Sequence, residues 1–432
     1  MVAISSWGRL GQSQHKVRPL YQSTAVAAEI AEDLPGLAYG MGRSYGDVCL
    51  NPEGSLWTTA GLDKFIDFDR ERGIIDCQAG VLLRDIQNLV VPEGWMLPVT
   101  PGTQFVTVGG AVANDVHGKN HHQFGTFGDH VTQLTLIRTD GEIIACGPAQ
   151  RPEWFAATVG GLGLTGIITR VSIALRRVHG PWLAVESQPF ASLQDFFQMS
   201  DEAETQWEYT VSWIDCVARR ARRGIFFRAK HARDVAGAQY RERAVSLPFT
   251  PPFSMVNRLS LRPFNWAYYN IHRLQSGSRL DHYQPFFYPL DRIRKWNRMY
   301  GPRGFYQYQC VVPTECREQA MAELIGETAR SNSGSFLAVL KTFGDSKPAG
   351  MLSFPMAGAT LALDFPNRGD TTLALLSRLD NILSSCGGRL YAAKDARMPA
   401  KLFADGYPLL EQFLAFRDAG ISSSFSRRIL GN

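Results

Sequence analysis

Covalent cross-links and membrane spans are what this chain has least material for. Its 432 residues include seven cysteines, Cys49, Cys77, Cys146, Cys216, Cys310, Cys316 and Cys386, scattered without a C-x-x-C pair. An odd, dispersed set makes no disulfide framework and lacks structural-zinc spacing; isolated thiols suit a reducing compartment. The first seventeen residues lack an apolar core of signal-peptide length. Every long apolar stretch is broken by Gly, Pro or a charge, so no segment reads as a membrane-spanning helix. H-E-x-x-H and the P-loop G-x-x-x-x-G-K-[ST] are missing. Charge of one sign is scarce too: 45 Lys+Arg face 40 Asp+Glu, a net of +5 that is too mild to mark a nucleic-acid binder. What remains, 45% apolar and 20% charged, is a globular chain long enough for two or three domains or one large bilobal body.

The near balance of charge is uneven along the chain. Between Val217 and Arg298 there are 17 Lys+Arg against 4 Asp+Glu, which leaves 28 against 36 elsewhere. In this stretch Arg219, Arg220, Arg222, Arg223, Arg228 and Lys230 precede Phe249, Phe253, Phe264, Trp266, Tyr268 and Tyr269. A charge run of this kind is usually a solvated loop. Mixed with aromatics it also suits an anionic lipid surface, where each Lys or Arg is worth about 1 kcal/mol.

Periodicity predicts a helix over 23–34 capped by Ser23, a strand at 37–39 and a hairpin of 65–68 with 74–78. A helix over 81–90, a hairpin of 131–137 with 142–146, a helix over 152–159 and a strand at 166–175 follow. Order weakens over 247–300. It returns as a helix at 315–328, strands at 336–343 and 360–365, a helix at 371–384 and a strand at 389–392. The pattern is α+β, with an N-terminal lobe over 1–180, a second lobe over 181–388 that holds the basic, aromatic insert at about 217–300, and a C-terminal return over 389–432.

Three glycine clusters carry most of the chemistry. Gly40-Met41-Gly42-Arg43-Ser44-Tyr45-Gly46-Asp47 can aim backbone N–H groups into one concavity, an anion nest fit for a pyrophosphate. Pro101-Gly102-Thr103 and Thr107-Val108-Gly109-Gly110-Ala111 lead into Asn114-Asp115-Val116-His117-Gly118-Lys119-Asn120-His121-His122, which suits backbone packed against a flat ligand. Gly161 to Gly166 spells G-x-G-x-x-G, but a helix precedes it and a strand follows, the reverse of a Rossmann site. His117, His121, His122 and His130 crowd within fourteen residues without an acidic or thiol partner at ligand spacing, so no metal site is expected. Lys341 and Lys394 each follow an apolar strand, where a lysine is often only an edge residue.

Taken together these segments resemble the flavoprotein oxidases of the vanillyl-alcohol oxidase/p-cresol methylhydroxylase class and, within it, the decaprenylphosphoryl-β-D-ribose 2-oxidase branch. Trp7-Gly8-Arg9, Gly42 to Asp47, Val116 to His122, Thr158 to Gly161, Asn297 to Pro302, Gln307-Tyr308-Gln309, Leu352 to Pro355 and Tyr391 to Asp395 carry the likeness almost end to end. The resemblance implies a two-lobed PCMH-type FAD-binding fold with an antiparallel-sheet substrate domain. FAD would rest on Gly40, Met41, Gly42, Arg43, Ser44, Tyr45 and Gly46, lined by Gly102, Thr107, Val108, Gly109, Gly110, Asn114, Asp115, His117, Ile168 and Tyr391. Tyr45 stands where the wider class often tethers FAD through histidine, which implies non-covalent FAD.

The implied reaction takes the ribose 2-hydroxyl of a polyprenylphosphoryl ribose to the 2-keto sugar. A separate NAD(P)H-dependent keto-reductase would complete epimerisation to the arabinose form. Lys394 would face the flavin, and Tyr45, Lys119, Gln309 and Lys341 the sugar or its phosphate, the base being unassigned among them. The alternative is an aldonolactone- or alditol-type oxidase acting on a soluble polyol. With no signal-peptide core and no membrane-spanning segment the expectation is a cytoplasmic enzyme, which a membrane-anchored substrate would bring peripherally to an anionic membrane surface, with no nucleic-acid partner. Ala362 stands where mycobacterial members carry a cysteine known as a covalent-inhibitor target, so inhibitors that need that thiol should not attach here.

Overall fold

The computed structural model describes residues 1–217, 222–233, 235, 238–331 and 333–431; Arg219 and Arg220 of the basic run lie outside the described residues. The N-terminal region builds two sheets. Val2–Ile4 pairs antiparallel with Ser13–Pro19, which runs parallel to Ser55–Thr58, itself parallel to Gly36–Tyr39. The second sheet is antiparallel, in the spatial order Phe65–Asp69, Ile74–Gln78, Ile167–Ala174, Val131–Ile137, Ile143–Cys146. Alternate residues of these strands, among them Ile75, Cys77, Leu134, Leu136, Val171 and Ile173, point into one apolar core.

An eight-stranded antiparallel sheet dominates the rest. Its order is Gly277–His282, Trp182–Phe190, Gly224–His231, Tyr209–Ile214, Val339–Phe343, Gly358–Pro366, Phe305–Pro313, Arg389–Leu390. Side chains alternate between its faces. Leu340, Leu361, Leu363, Cys310 and Val312 pack in one core with Phe196, Met321, Leu324, Leu375 and Leu379 of the helices Leu193–Ala203, Arg317–Ser331 and Asp370–Ser385. The intervening residues, Lys341, Thr360, Ala362, Asp364 and Gln309, face the opposite way and line a cavity.

The chain then returns to its start. Gly36 N–H donates to Gly420 O at 3.0 Å and Ser422 N–H to Gly36 O at 3.0 Å. In the last helix, Ser424–Leu430, Arg428 pairs with Asp47 at 2.9 Å and with Asp395 at 3.0 Å.

Two local expectations change. The helix expected over 23–34 is confined to Val26–Ile30, with Ala25 rather than Ser23 at its N-cap position and no side-chain cap. The weakly periodic region contains a seventeen-residue helix, Arg258–Leu274, opened by an Asn257 capping box and carrying Pro263 inside it. Its signal is obscured because Leu259, Phe264, Trp266, Ile271 and Leu274 are exposed, so apolar residues encircle it.

Candidate active site

A cavity of about 740 Å³ separates the inner face of the large sheet from the glycine-rich turns. One wall is the loop that follows Gly36–Tyr39, with Gly40, Met41, Gly42, Arg43, Ser44 and Tyr45 all exposed to the cavity. Gly42 has φ +59, a left-handed backbone, and a Cβ there would overlap the Tyr39 hydroxyl. The loop is pinned from outside, since Trp7 N–H donates to Ser44 O at 2.9 Å and Tyr45 N–H to Ala393 O at 3.0 Å. Arg43 stacks 4.2 Å over the Trp7 ring while its Nε is buried with no hydrogen-bond partner. The loop also spells G-x-S-x-G over Gly42 to Gly46, but a nucleophile elbow needs a helix directly after its serine. Here a single 3-10 turn, Asp47–Cys49, follows.

The second glycine cluster forms the adjoining wall. Thr107 caps the short helix Val108–Ala113 by accepting from Gly110 N–H at 3.1 Å. Asn114 Nδ2 donates to Gly110 O at 2.9 Å, its Oδ1 is buried without a partner, and Tyr391 O–H donates to Asn114 O at 2.8 Å. Gly102, Thr107, Gly109, Gly110, Asn114, His117, Ile168 and Tyr391 all line the cavity. A Cβ added at Gly102 or Gly163 would meet nothing within 4 Å, so both backbones open on free space. Unpartnered Arg43 Nε, Asn114 Oδ1 and His117 Nδ1 around that space fit the polar edges of an extended flavin nucleotide.

Three cofactor candidates stand behind this wall rather than in it. A Cβ at Gly46 would overlap the Asp395 carbonyl oxygen, so this glycine allows two backbones to touch. Val108 is buried in the apolar core. Asp115, with φ +38, accepts from Gly128 N–H at 2.9 Å and from the Ser353 hydroxyl. Each braces the turns that line the cavity.

The five residues proposed for chemistry line the same cavity. Lys394 Nζ lies 3.9 Å from the Tyr45 ring centroid. Lys341 Nζ donates to Gly118 O at 3.1 Å, and Lys119 Nζ donates to the carbonyls of Phe286 and Phe287, the latter at 3.2 Å. Gln309 Nε2 donates to His117 Nε2 at 3.0 Å, which assigns the imidazole proton to Nδ1. His121, His122 and His130 do not line the cavity: His121 packs at 4.5 Å on Phe343, while His122 and His130 bond the carbonyls of Trp207 and Phe124 at 2.8 Å. Among the described residues no three His, Cys, Asp or Glu side chains come together to hold a metal ion.

Known proteins resemble this chain. An FAD binding domain family model matches residues 22–147, which include both glycine-rich walls. Decaprenylphosphoryl-beta-D-ribose oxidase of Mycolicibacterium smegmatis is 34% identical over 414 residues, 91% of this chain and 88% of its own. The chain belongs to the decaprenylphosphoryl-ribose oxidase family. It is an FAD-dependent oxidoreductase with an α+β, PCMH-type fold. A Streptomyces coelicolor protein described as uncharacterised, in the mprA 5' region, is 31% identical over 80% of this chain and 97% of its own. A putative D-arabinono-1,4-lactone oxidase of Neurospora crassa is 30% identical over 136 residues, only 31% of this chain and 24% of its own.

Within this family member the electrostatics of the lysine end are unusual. Enclosure by protein pushes Lys394 down to about 7; Asp364 opposes the fall and Lys341 adds to it. Burial likewise lowers Lys119 to about 7, aided by Lys341, and Lys341 itself to about 8. These side chains are enclosed on the protein side yet partly accessible, because each opens on the cavity. His117 is held neutral by burial and by the neighbouring Lys341, His121 and Lys394.

Asp364 was not singled out from the sequence. It is 1% exposed, accepts from Gln307 Nε2 at 2.7 Å and from Tyr300 O–H at 3.4 Å, and burial raises it to about 7. A carboxylate on the inward side of an otherwise apolar strand was the available signal. Asp291 was also missed; it accepts from Thr103 Oγ1 at 2.7 Å and Gln104 N–H at 2.9 Å, tying the 289–292 turn across the cavity.

Proposed function

We propose that this enzyme oxidises the ribose 2-hydroxyl of a polyprenylphosphoryl ribose to the 2-keto sugar, the first half of epimerisation to the arabinose form. The observation that carries the reading is the set of three enclosed lysines, Lys119, Lys341 and Lys394, in the cavity whose glycine-rich walls fit FAD. It stands together with the 34% identity to a decaprenylphosphoryl-beta-D-ribose oxidase. Bound FAD supplies the two-electron acceptor for the carbinol carbon.

The residues divide the work by charge. Arg43 and the Gly40–Ser44 loop hold the cofactor's pyrophosphate, and Asn114, His117 and Tyr391 line its ring. Lys394 holds a cation where oxidation delivers negative charge, already oriented by Tyr45 and Asp364. Lys119 and Lys341 take the phosphate, and Gln309 orients the sugar through the same amide that fixes His117. Tyr45 in place of a tethering histidine supports non-covalent FAD. The cofactor lobe comprises residues 1–180 and 389–432, and the substrate lobe residues 181–388.

A lipid-linked substrate also gives the basic segment a purpose. On the helix Arg258–Leu274, Leu259 is 88% exposed, Trp266 63% and Leu274 85%, beside exposed Arg262 and Arg273. This composition supports peripheral docking on an anionic membrane. The keto sugar then passes to a separate NAD(P)H-dependent keto-reductase.

Anaerobic mixing of the FAD-loaded protein with farnesylphosphoryl ribose tests the reading. The visible flavin band should bleach with this substrate and not with free aldonolactones or alditols. Lys394→Ala should keep FAD but reduce it at least about 100-fold more slowly. An unbleached wild type sinks the proposal.

A further inference from the structure

The cavity does not stop at the lysines. It continues across the sheet towards the helix Arg258–Leu274, and its walls change character on the way. Strand register makes the change explicit. Gln309 pairs with Ala362, Ala362 with Val339, and Val339 with Trp213, so one rung crosses four neighbouring strands. All four residues line the cavity. At about 4.8 Å per strand the rung spans about 14 Å. Its first member is polar and bonded to His117, and the rest are apolar. The next strand adds Phe227, paired with Val211.

The roof over this stretch is aromatic as well. Tyr268 of the helix lies 4.7 Å from Trp213, and His272 lies 5.6 Å from Phe227. The outer side of the same helix carries the exposed Leu259, Trp266 and Leu274. The arm is therefore apolar along its floor from Ala362 to Phe227, meets the polar side chains of His272 and Arg279 beside Phe227 at its outer end, and runs beneath the exposed apolar residues of this helix.

We infer that this arm is the binding site for the first isoprene units of the lipid phosphate, leading from the lysine end of the cavity to the surface beneath the helix Arg258–Leu274. The inference rests on the lipid-linked substrate proposed above and adds where the tail lies. The order of chemistry along the arm carries it. A phosphate held by Lys119 and Lys341 directs its ester substituent across Val339, Trp213 and Phe227, the continuous apolar path away from it. A soluble polyol has no group to bury there, and an open apolar wall left wet is unfavourable.

Calorimetric titration with farnesyl phosphate and with ethyl phosphate, on the FAD-loaded protein, tests the arm without turnover. Farnesyl phosphate should bind at least about 100-fold more tightly than ethyl phosphate, since burying a few branched carbons is worth that much. Val211→Trp, which fills the arm beside Phe227 on the same sheet face, should weaken farnesyl phosphate at least about tenfold. Phe227→Ser, which removes one wall instead of filling the space, should do the same. Each variant is checked by its melting temperature and flavin content. Equal affinity of the wild type for the two phosphates overturns the inference, and so does a folded variant that binds farnesyl phosphate like the wild type. A wild type that discriminates the two phosphates yet does not bleach with farnesylphosphoryl ribose would remove the proposed reaction and leave the arm standing.

Discussion

Replacing Asp364 by Asn should move the pH range in which the flavin is reduced. The substitution keeps the shape, lets Oδ1 go on accepting from Gln307 Nε2 while Nδ2 donates to the Tyr300 oxygen in a reversed bond, and removes the charge that faces Lys394. The other groups acting on that ammonium are Lys341, which repels it, and the Tyr45 ring, which lies against it. An opposite charge at close range is worth about 1–3 pKa units, and each unit about 1.4 kcal/mol. Loss of Asp364 should therefore let Lys394 release its proton about 1–2 pH units lower, a change of about 1.4–2.7 kcal/mol. The sign follows from the role. The ammonium is the form that offsets negative charge, so the reduction rate holds below the pKa and falls as pH rises through it. In Asp364→Asn this alkaline limb moves towards acid. At neutral pH the variant should be about tenfold slower or worse, and the two proteins should converge as pH falls. Stopped-flow reduction across the pH range measures the limb. Competitive acetylation of Lys394 in the ligand-free protein, with Lys341 as an internal reference, measures the proton directly. A limb and an acetylation midpoint that stay where the wild type has them refute the reasoning.

Three further outcomes can be checked separately. Asp115 is fully buried and raised to about 7 by burial, so its ionisation costs stability as pH rises towards and through that value. Between about pH 5 and pH 7 the wild type should lose about 2 kcal/mol relative to Asp115→Asn, read by denaturant melts at each pH. Gly46→Ala would push a methyl into the Asp395 carbonyl, and should cost several kcal/mol and lower the melting temperature, whereas Gly11→Ala, with open space around its Cβ and no left-handed φ, should lose far less. Leu259→Ser with Trp266→Ser should abolish co-sedimentation with anionic vesicles at low salt, while undiminished binding would remove that helix from the docking surface.

Local order was legible in the sequence wherever it is set by neighbours along the chain. The hairpin that turns at Asp140-Gly141 and the helices Pro152–Thr158 and Asp370–Ser385 lie within a few residues of their expected bounds. The glycine loops were legible for the same reason, since their conformational needs are written in consecutive residues. Parallel pairing of Ser13–Pro19 with Ser55–Thr58 joins segments some forty residues apart and leaves no local trace. The helix Arg258–Leu274 escaped because Pro263 reads as a helix breaker in the sequence and apolar residues surround the helix. In the site, the lysines could be named from the family likeness, but Asp364, Trp213 and Phe227 acquire meaning only when strand register sets them on one face.

The glycine loop is supported from far along the chain. Gly36 bonds to Gly420 and Ser422, and the aspartates beneath the loop, Asp47 and Asp395, share Arg428. Arg428 stands 381 residues beyond Asp47 in sequence. The loop's conformation is written in consecutive residues, but the charge balance beneath it comes from tertiary structure, so Arg428→Ala should loosen the loop without touching the cavity.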